Sequence, residues 1–241
     1  MATEHRIEVS GIPVEVVRKD IKNLHLAVYP PLGRVRVAVP LRTSDETVRL
    51  AIISRLGWIR RQQHALEQQS RQSKREMATG ESHFVRGRRY RLDVIEHDGP
   101  ARVAIRTGRT LELRVRPGME RDKRDDVMQC WYRQMLREQI PDLLSRWEPI
   151  IGVQVASCGI KRMKTKWGTC NIETRRIWLN LELAKKPPAC LEYILVHEMV
   201  HLLERHHNDR FRSLMDEFLP QWRIHRAELN RAPLAHEDWH Y

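Results

Sequence analysis

From Glu192 to Phe211 the chain reads EYILVHEMVHLLERHHNDRF, an apolar run that carries two histidines four residues apart with a glutamate between them. On a helix, residues i and i+4 lie ~40° apart around the axis and one turn apart along it, so the imidazoles of His197 and His201 can reach one ion. Glu198 sits beside them and is too displaced to ligate. In HExxH sequences this geometry lets two histidines hold Zn²⁺ while the carboxylate takes a proton from the attacking water and delivers it to the leaving amine. Leu191, Ile194 and Leu195 before the motif, with Met199 and Val200 inside it, require a buried helix. A buried imidazole pair without a ligand would be costly. The alternative is a partly exposed helix on which Glu198 pairs with Arg205 or Arg210.

A catalytic zinc takes three protein ligands and leaves a position open. Glu204 would continue the same helical face, yet the axis has by then risen ~4.5 Å past His201. His206 and His207 can ligate only if the chain breaks and turns back. A third histidine ten residues after the first is the metzincin spacing, which uses a glycine for its turn. His207 has that spacing, but Glu204 and Arg205 stand where a glycine is expected.

Around this core the chain alternates between two patterns. From Arg6 to Pro40, IPVEVVRK, NLHLAVYP and RVRVAVP show the period-2 alternation of half-buried strands and read as a small antiparallel sheet. Helical spacing follows, with Thr43 or Ser44 as N-cap and Val48, Ile52 and Leu56 on one face. Its polar tail, from Gln62 to Glu76, reads as an exposed helix end or a linker. A second meander runs through HFVRGRRYRLDVIEH, ARVAIRTG and TLELRVRP. A long helix from Met119 to about Trp147 carries Val127, Trp131, Met135 and Leu136 on one side, and Pro141 is expected to kink or divide it. Strands with a turn near Asn171 to Thr174 come next. The remainder, from Pro187, is helical with breaks near His206 and Pro220. No internal repeat is apparent.

At 241 residues the chain can bury a substantial core without disulfides, and its four cysteines form no CxxC pair. With no apolar leader at the N-terminus, the expectation is a cytoplasmic protein that neither crosses nor anchors in a membrane. The formal net charge of +12 favours anionic partners. A basic stretch that includes Arg55, Arg60, Arg61, Arg71, Lys74 and Arg75, and continues through Arg86 to Arg91, makes nucleic acid a second candidate partner, although no binding motif or aromatic interleaving accompanies it and solvated faces are the commoner explanation of such runs.

The stretch KTKWGTC from Lys164 to Cys170, the strand RRIWLN ending at Asn180, the apolar-preceded HEMVHL, the histidine ten residues after His197, and Phe211 together resemble the YgjP-like metallopeptidases. Those enzymes are related to the WLM and SprT-like zinc proteases. Thr169 replaces the family's usual serine, RHHND replaces PNHSK, and Arg212 stands where a tryptophan follows Phe211. The resemblance implies His197, His201 and His207 as zinc ligands, Glu198 as general base, and His206 beside the site. Trp167, Gly168 and Thr169 form either an edge strand along which an extended peptide lies or a packed turn. Cys170 lacks a base tied to it and is a poor nucleophile. Tyr193, one turn before His197, packs near the metal helix.

The expected fold is α+β: either an N-terminal antiparallel β-rich region with one helix, residues 1–118, and a zincin-like helix and sheet unit, residues 119–241, or one continuous YgjP-like unit. The expected function is zinc-dependent hydrolysis of a protein or peptide substrate. The alternatives are a basic nucleic-acid-associated protein with a structural zinc, or a protease acting on DNA-bound proteins.

Overall fold

The computed structural model describes residues 3–29, 32–68, 75–163 and 166–231. The polar tract at 69–74, Lys164 and the HEDWHY tail lie outside them. Among the described residues, 3–68 fall in one compact unit and 75–231 in another.

In the first unit, strands β1 (Thr3–Val9), β2 (Ile12–Lys19), β3 (His25–Tyr29) and β4 (Arg34–Pro40) form a sheet in the order β1-β2-β4-β3. The sheet is mixed rather than antiparallel throughout, because β4 inserts beside β2 and runs parallel to it. Val14, Val16, Val35, Val37 and Val39 supply its buried face, as the alternation requires. Val48 and Ile52 of α1 (Asp45–Ile53) and Ile59 of α2 (Leu56–Gln68) join the same core. One expected helix is therefore two. Ser44 is the cap, its hydroxyl accepting from Thr47 N at 3.2 Å.

The second unit repeats this topology. Strands β5 (Ser82–Val85), β6 (Arg88–Glu96), β7 (Arg102–Arg106) and β8 (Thr110–Val115) are ordered β5-β6-β8-β7, again with a parallel central pair. Both leading hairpins close on two-residue turns with positive φ at both positions, Ser10-Gly11 (52° and 77°) and Arg86-Gly87 (49° and 78°). Turns of this hand match the twist of the flanking strands. Repetition thus lives in backbone geometry, where residue-by-residue comparison of the two halves does not reveal it.

Leu92, Leu111, Leu113 and Val115 of this sheet share one core with the helices that follow, so these strands, grouped above with the N-terminal region, pack with the C-terminal half. Helix α3 (Arg121–Ile151) is a single helix of 31 residues that Pro141 does not divide. Its buried side chains run past the proline, from Met128, Tyr132, Met135 and Leu136 through Ile140 to Trp147 and Ile151. That packing offsets the one hydrogen bond the proline cannot donate. Tyr132 donates its hydroxyl to Phe84 O at 2.9 Å, tying α3 to β5.

A third sheet, ordered β10-β11-β9, contains β9 (Ser157–Lys161), β10 (Gly168–Asn171) and β11 (Arg176–Asn180). Beyond it, a 3-10 segment at Leu181–Lys185 leads into α4 (Pro188–Val200), followed by α5 (Asp209–Phe218) and α6 (Trp222–Arg231). The β5–β6 turn docks on this lead-in: Arg86 N and Gly87 N donate to Ala184 O and Lys185 O at 2.9 and 3.0 Å. A Cβ at Gly87 would lie 2.7 Å from Pro187, so this turn needs glycine for closeness as well as for its φ.

Candidate metal centre

Helix α4 is buried almost all round, from Cys190 through Leu195 and Val196 to Met199 and Val200, as a helix enclosed by sheet and helices must be. It ends at Val200, with His201 as its C-cap. The final turn tightens: Leu202 N and Leu203 N donate three residues back, to Met199 O and Val200 O at 3.0 and 2.9 Å.

The chain then reverses without glycine, and no residue from His201 to Asn208 has positive φ. Glu204 supplies what a glycine would have made unnecessary. Its carboxylate accepts from His206 N at 3.0 Å, and that bond holds its pKa below the usual carboxylate range. Asn208 N donates to His206 O at 2.8 Å, while the Asn208 side chain caps α5 by accepting from Phe211 N at 2.9 Å. Spacing along the helix does not announce this bracing role of Glu204.

The reversal brings His207 back to α4. Ligand atoms of His197, His201 and His207 all lie within 4.8 Å of one another, and the Nε2 atoms of His197 and His207 approach to 3.0 Å. His201 donates Nδ1–H to Glu204 O at 3.0 Å, which fixes its tautomer and leaves the Nε2 lone pair free. Phe211 forms a common floor: its ring centroid is 4.9, 4.7 and 4.8 Å from those of His197, His201 and His207. Tyr193 meets His197 edge-on at 5.9 Å and stacks on Trp222 of α6 at 6.3 Å. His206 is exposed and outside the cluster.

Burial and mutual repulsion keep the imidazoles neutral. Burial, then His201 and His207, then Arg226, depress the His197 pKa to about 3. His201 and His207 are also lowered, chiefly by burial. Three neutral imidazoles offering lone pairs toward one point are a donor set that fits a divalent cation.

Glu198 is buried and has no hydrogen bond or ion pair among the described residues, so the exposed-helix alternative, with Arg205 or Arg210 as its partner, does not hold. Burial pushes its carboxyl up to about 7, against the pull of Lys166. Gly168 of β10 lies directly over it. Cys170, on the same strand, has its thiol pushed up to about 11 by burial and by Glu198, which disfavours a thiolate. Asn180 is a further residue whose role the sequence did not disclose. Its amide donates to Met163 O and Lys166 O, both at 2.8 Å, and Asn180 N donates to Trp167 O at 2.9 Å. It thereby pins the segment that delivers Trp167, Gly168 and Thr169.

A mixed fold that gathers three imidazoles beside an unpaired, buried carboxylate defines a metal-dependent hydrolase. A family model described as YgjP-like, metallopeptidase domain, matches residues 22–232, and the chain belongs to that family: it is a peptidase whose activity depends on a metal ion. Among solved structures it is similar to the metallopeptidase zymogen abylysin of Pyrococcus abyssi, at 21% identity and a TM-score of 0.35, over 39% of this chain and 99% of that one. No curated protein matches the chain. Among the described residues, no helix is long and apolar enough to cross a membrane.

Proposed function

We propose that the chain is a zinc peptidase in which His197, His201 and His207 hold the metal and Glu198 is the general base. The observation that carries this reading is a carboxylate without a partner, buried beside the imidazole cluster and poised near neutrality. A general base works best when its pKa lies near the working pH. A structural zinc has no use for such a group and closes its site with four protein ligands. Three imidazoles suit zinc, which when bound supplies a Lewis acid that polarises the scissile carbonyl and acidifies water.

Glu198 takes one proton from the attacking water and returns it to the nitrogen of the departing amine. Burial favours both moves, since the carboxylate gives up no strong hydrogen bond on accepting the proton and the acid form is stable enough to await the amine. Trp167, Gly168 and Thr169 would carry the substrate. Among the described residues, strand β10 pairs with β11 on one side only, and its other edge is the one an extended peptide would join, meeting the strand's own amides and carbonyls with its main chain. Four free thiols among the described residues accord with a cytoplasmic setting. The basic run is divided between the two compact units, Arg55, Arg60 and Arg61 belonging to the first and Arg86 to Arg91 to the second.

Bound metal and cleavage of a peptide library are measured for the wild type and Glu198→Gln. Zinc retained with cleavage lost supports the assignment. Equal cleavage by both proteins would remove Glu198 from the mechanism.

A further inference from the structure

The outer face of the β9–β11 sheet brings an indole and two cations together. Ile177 and Leu179 of β11 point inward and are fully buried, so Arg176 and Trp178 point the other way. In register, Trp178 lies between Gly159 of β9 and Thr169 of β10, and Arg176 between Ser157 and Asn171. The indole lies flat over Gly159, where a Cβ would overlap its ring. Over the ring stand two cations, Lys161 Nζ at 4.9 Å and Arg176 Cζ at 5.3 Å from its centroid. Arg176 is oriented by donating Nε–H to Ser157 Oγ at 2.9 Å. Both cations are solvent-exposed, and neither has an ion pair among the described residues.

From Ser157 to Asn180 the only acid is Glu173, on the β10–β11 turn, against Lys161, Arg162, Lys164, Lys166, Arg175 and Arg176. Two like charges converging on one ring, without an ion pair among the described residues, suit an anion. When phosphates draw Lys161 and Arg176 away from the ring, the indole face turned from Gly159 is left as a stacking surface that every nucleobase can use. Open sheet faces carrying an aromatic ring and flanking cations hold single strands by stacking and phosphate contact, with little sequence preference.

We propose that this face binds single-stranded nucleic acid, with Trp178 as the stacking platform and Lys161 and Arg176 as phosphate contacts. A duplex would present phosphates but no free base, so stacking on Trp178 makes the face selective for single strands. The proposal stands apart from the peptidase reading, since Trp178, Lys161 and Arg176 have no part in the metal cluster.

The test is fluorescence anisotropy of the full chain with labelled single-stranded DNA and RNA of about 12 nucleotides. The expected result is salt-sensitive binding that Trp178→Ala weakens about tenfold, the scale of one lost base stack. The Lys161→Glu/Arg176→Glu double variant should weaken it further and lower the slope of log K against log salt by at least about 1.4. Metal content of the variants should stay at the wild-type level. If Trp178→Ala fails to fold, the exposed charge-swap variant decides. The proposal is overturned if the wild type does not bind single strands at low salt, if the charge-swap variant binds as tightly as the wild type, or if duplex DNA or polyglutamate competes as well as the single strand.

Discussion

A methyl group at Gly168 would lie 2.6 Å from Oε1 of Glu198 and 2.7 Å from its Cγ. The backbone of β10 therefore passes directly over the carboxylate, at a distance no side chain permits. Gly168 has no positive φ, so alanine is compatible with the strand and the collision alone is tested. Gly168→Ala should displace the Glu198 carboxylate by a fraction of an ångström or more and lower kcat about 100-fold, the scale set by misplacing a catalytic group. Bound metal should be unchanged, because no imidazole touches position 168. A variant with wild-type kcat would show that the carboxylate can shift without loss.

The His206 N–H to Glu204 bond should be what lets His207 return to the cluster. Glu204→Ala removes the acceptor and should weaken metal retention about tenfold in a competition against a chelator, the low end for an outer partner of a metal site. Glu204→Gln retains an acceptor oxygen and should recover part of the affinity. If both variants hold the metal as the wild type does, the turn is kept by Asn208 and the α5 cap alone.

The motif histidines and Glu198 were legible because helical spacing places them on one face of a sequence too apolar to be exposed. His207 was legible only in part: its spacing suggested a ligand, but the turn that delivers it rests on a carboxylate bracing a backbone amide, which no local pattern announces. The roles of Phe211 and Asn180 were not legible for a related reason, since the imidazoles of His197 and His201 beneath which Phe211 lies, and the Met163 and Lys166 carbonyls that Asn180 holds, are 10 to 17 residues away. Strand positions were readable from alternation. Pairing was not, because β2 and β6 each accept a parallel neighbour that arrives after an intervening strand or hairpin. Pro141 misled, since packing along Ile140 and Trp147 outweighs its local penalty.

Asn180 serves the site at one remove. Its side chain makes two donor bonds of 2.8 Å and accepts from Glu182 N at 3.2 Å, and the residue is 4% exposed. Asn180→Ala should cost about 2–4 kcal/mol in urea unfolding, for bonds lost and buried carbonyls left unpaired. In the variant that still folds, KM for a peptide should rise more than kcat falls, because Trp167 to Thr169 are loosened while Glu198 and the imidazoles are not. A change in kcat alone would place Asn180 in the chemistry instead.

Lys186 is 3% exposed, with its ammonium 5.4 Å from the Trp167 ring centroid. Burial pulls its pKa from 10.5 down to about 8, against Glu182, which draws it back up. Between those two values the unfolded chain holds the proton and the folded chain has released it. Stability attributable to this residue therefore rises as pH climbs from about 8 to 10.5, and is lost as pH falls back through the folded value. The gap corresponds to about 3 kcal/mol. Lys186→Met has no such titration and serves as the reference. Urea unfolding at both ends of this range should show the wild type gaining on the variant by that order as pH rises. A constant difference between the two proteins would mean that Lys186 keeps its proton in the folded state, with water or a carboxylate reaching it.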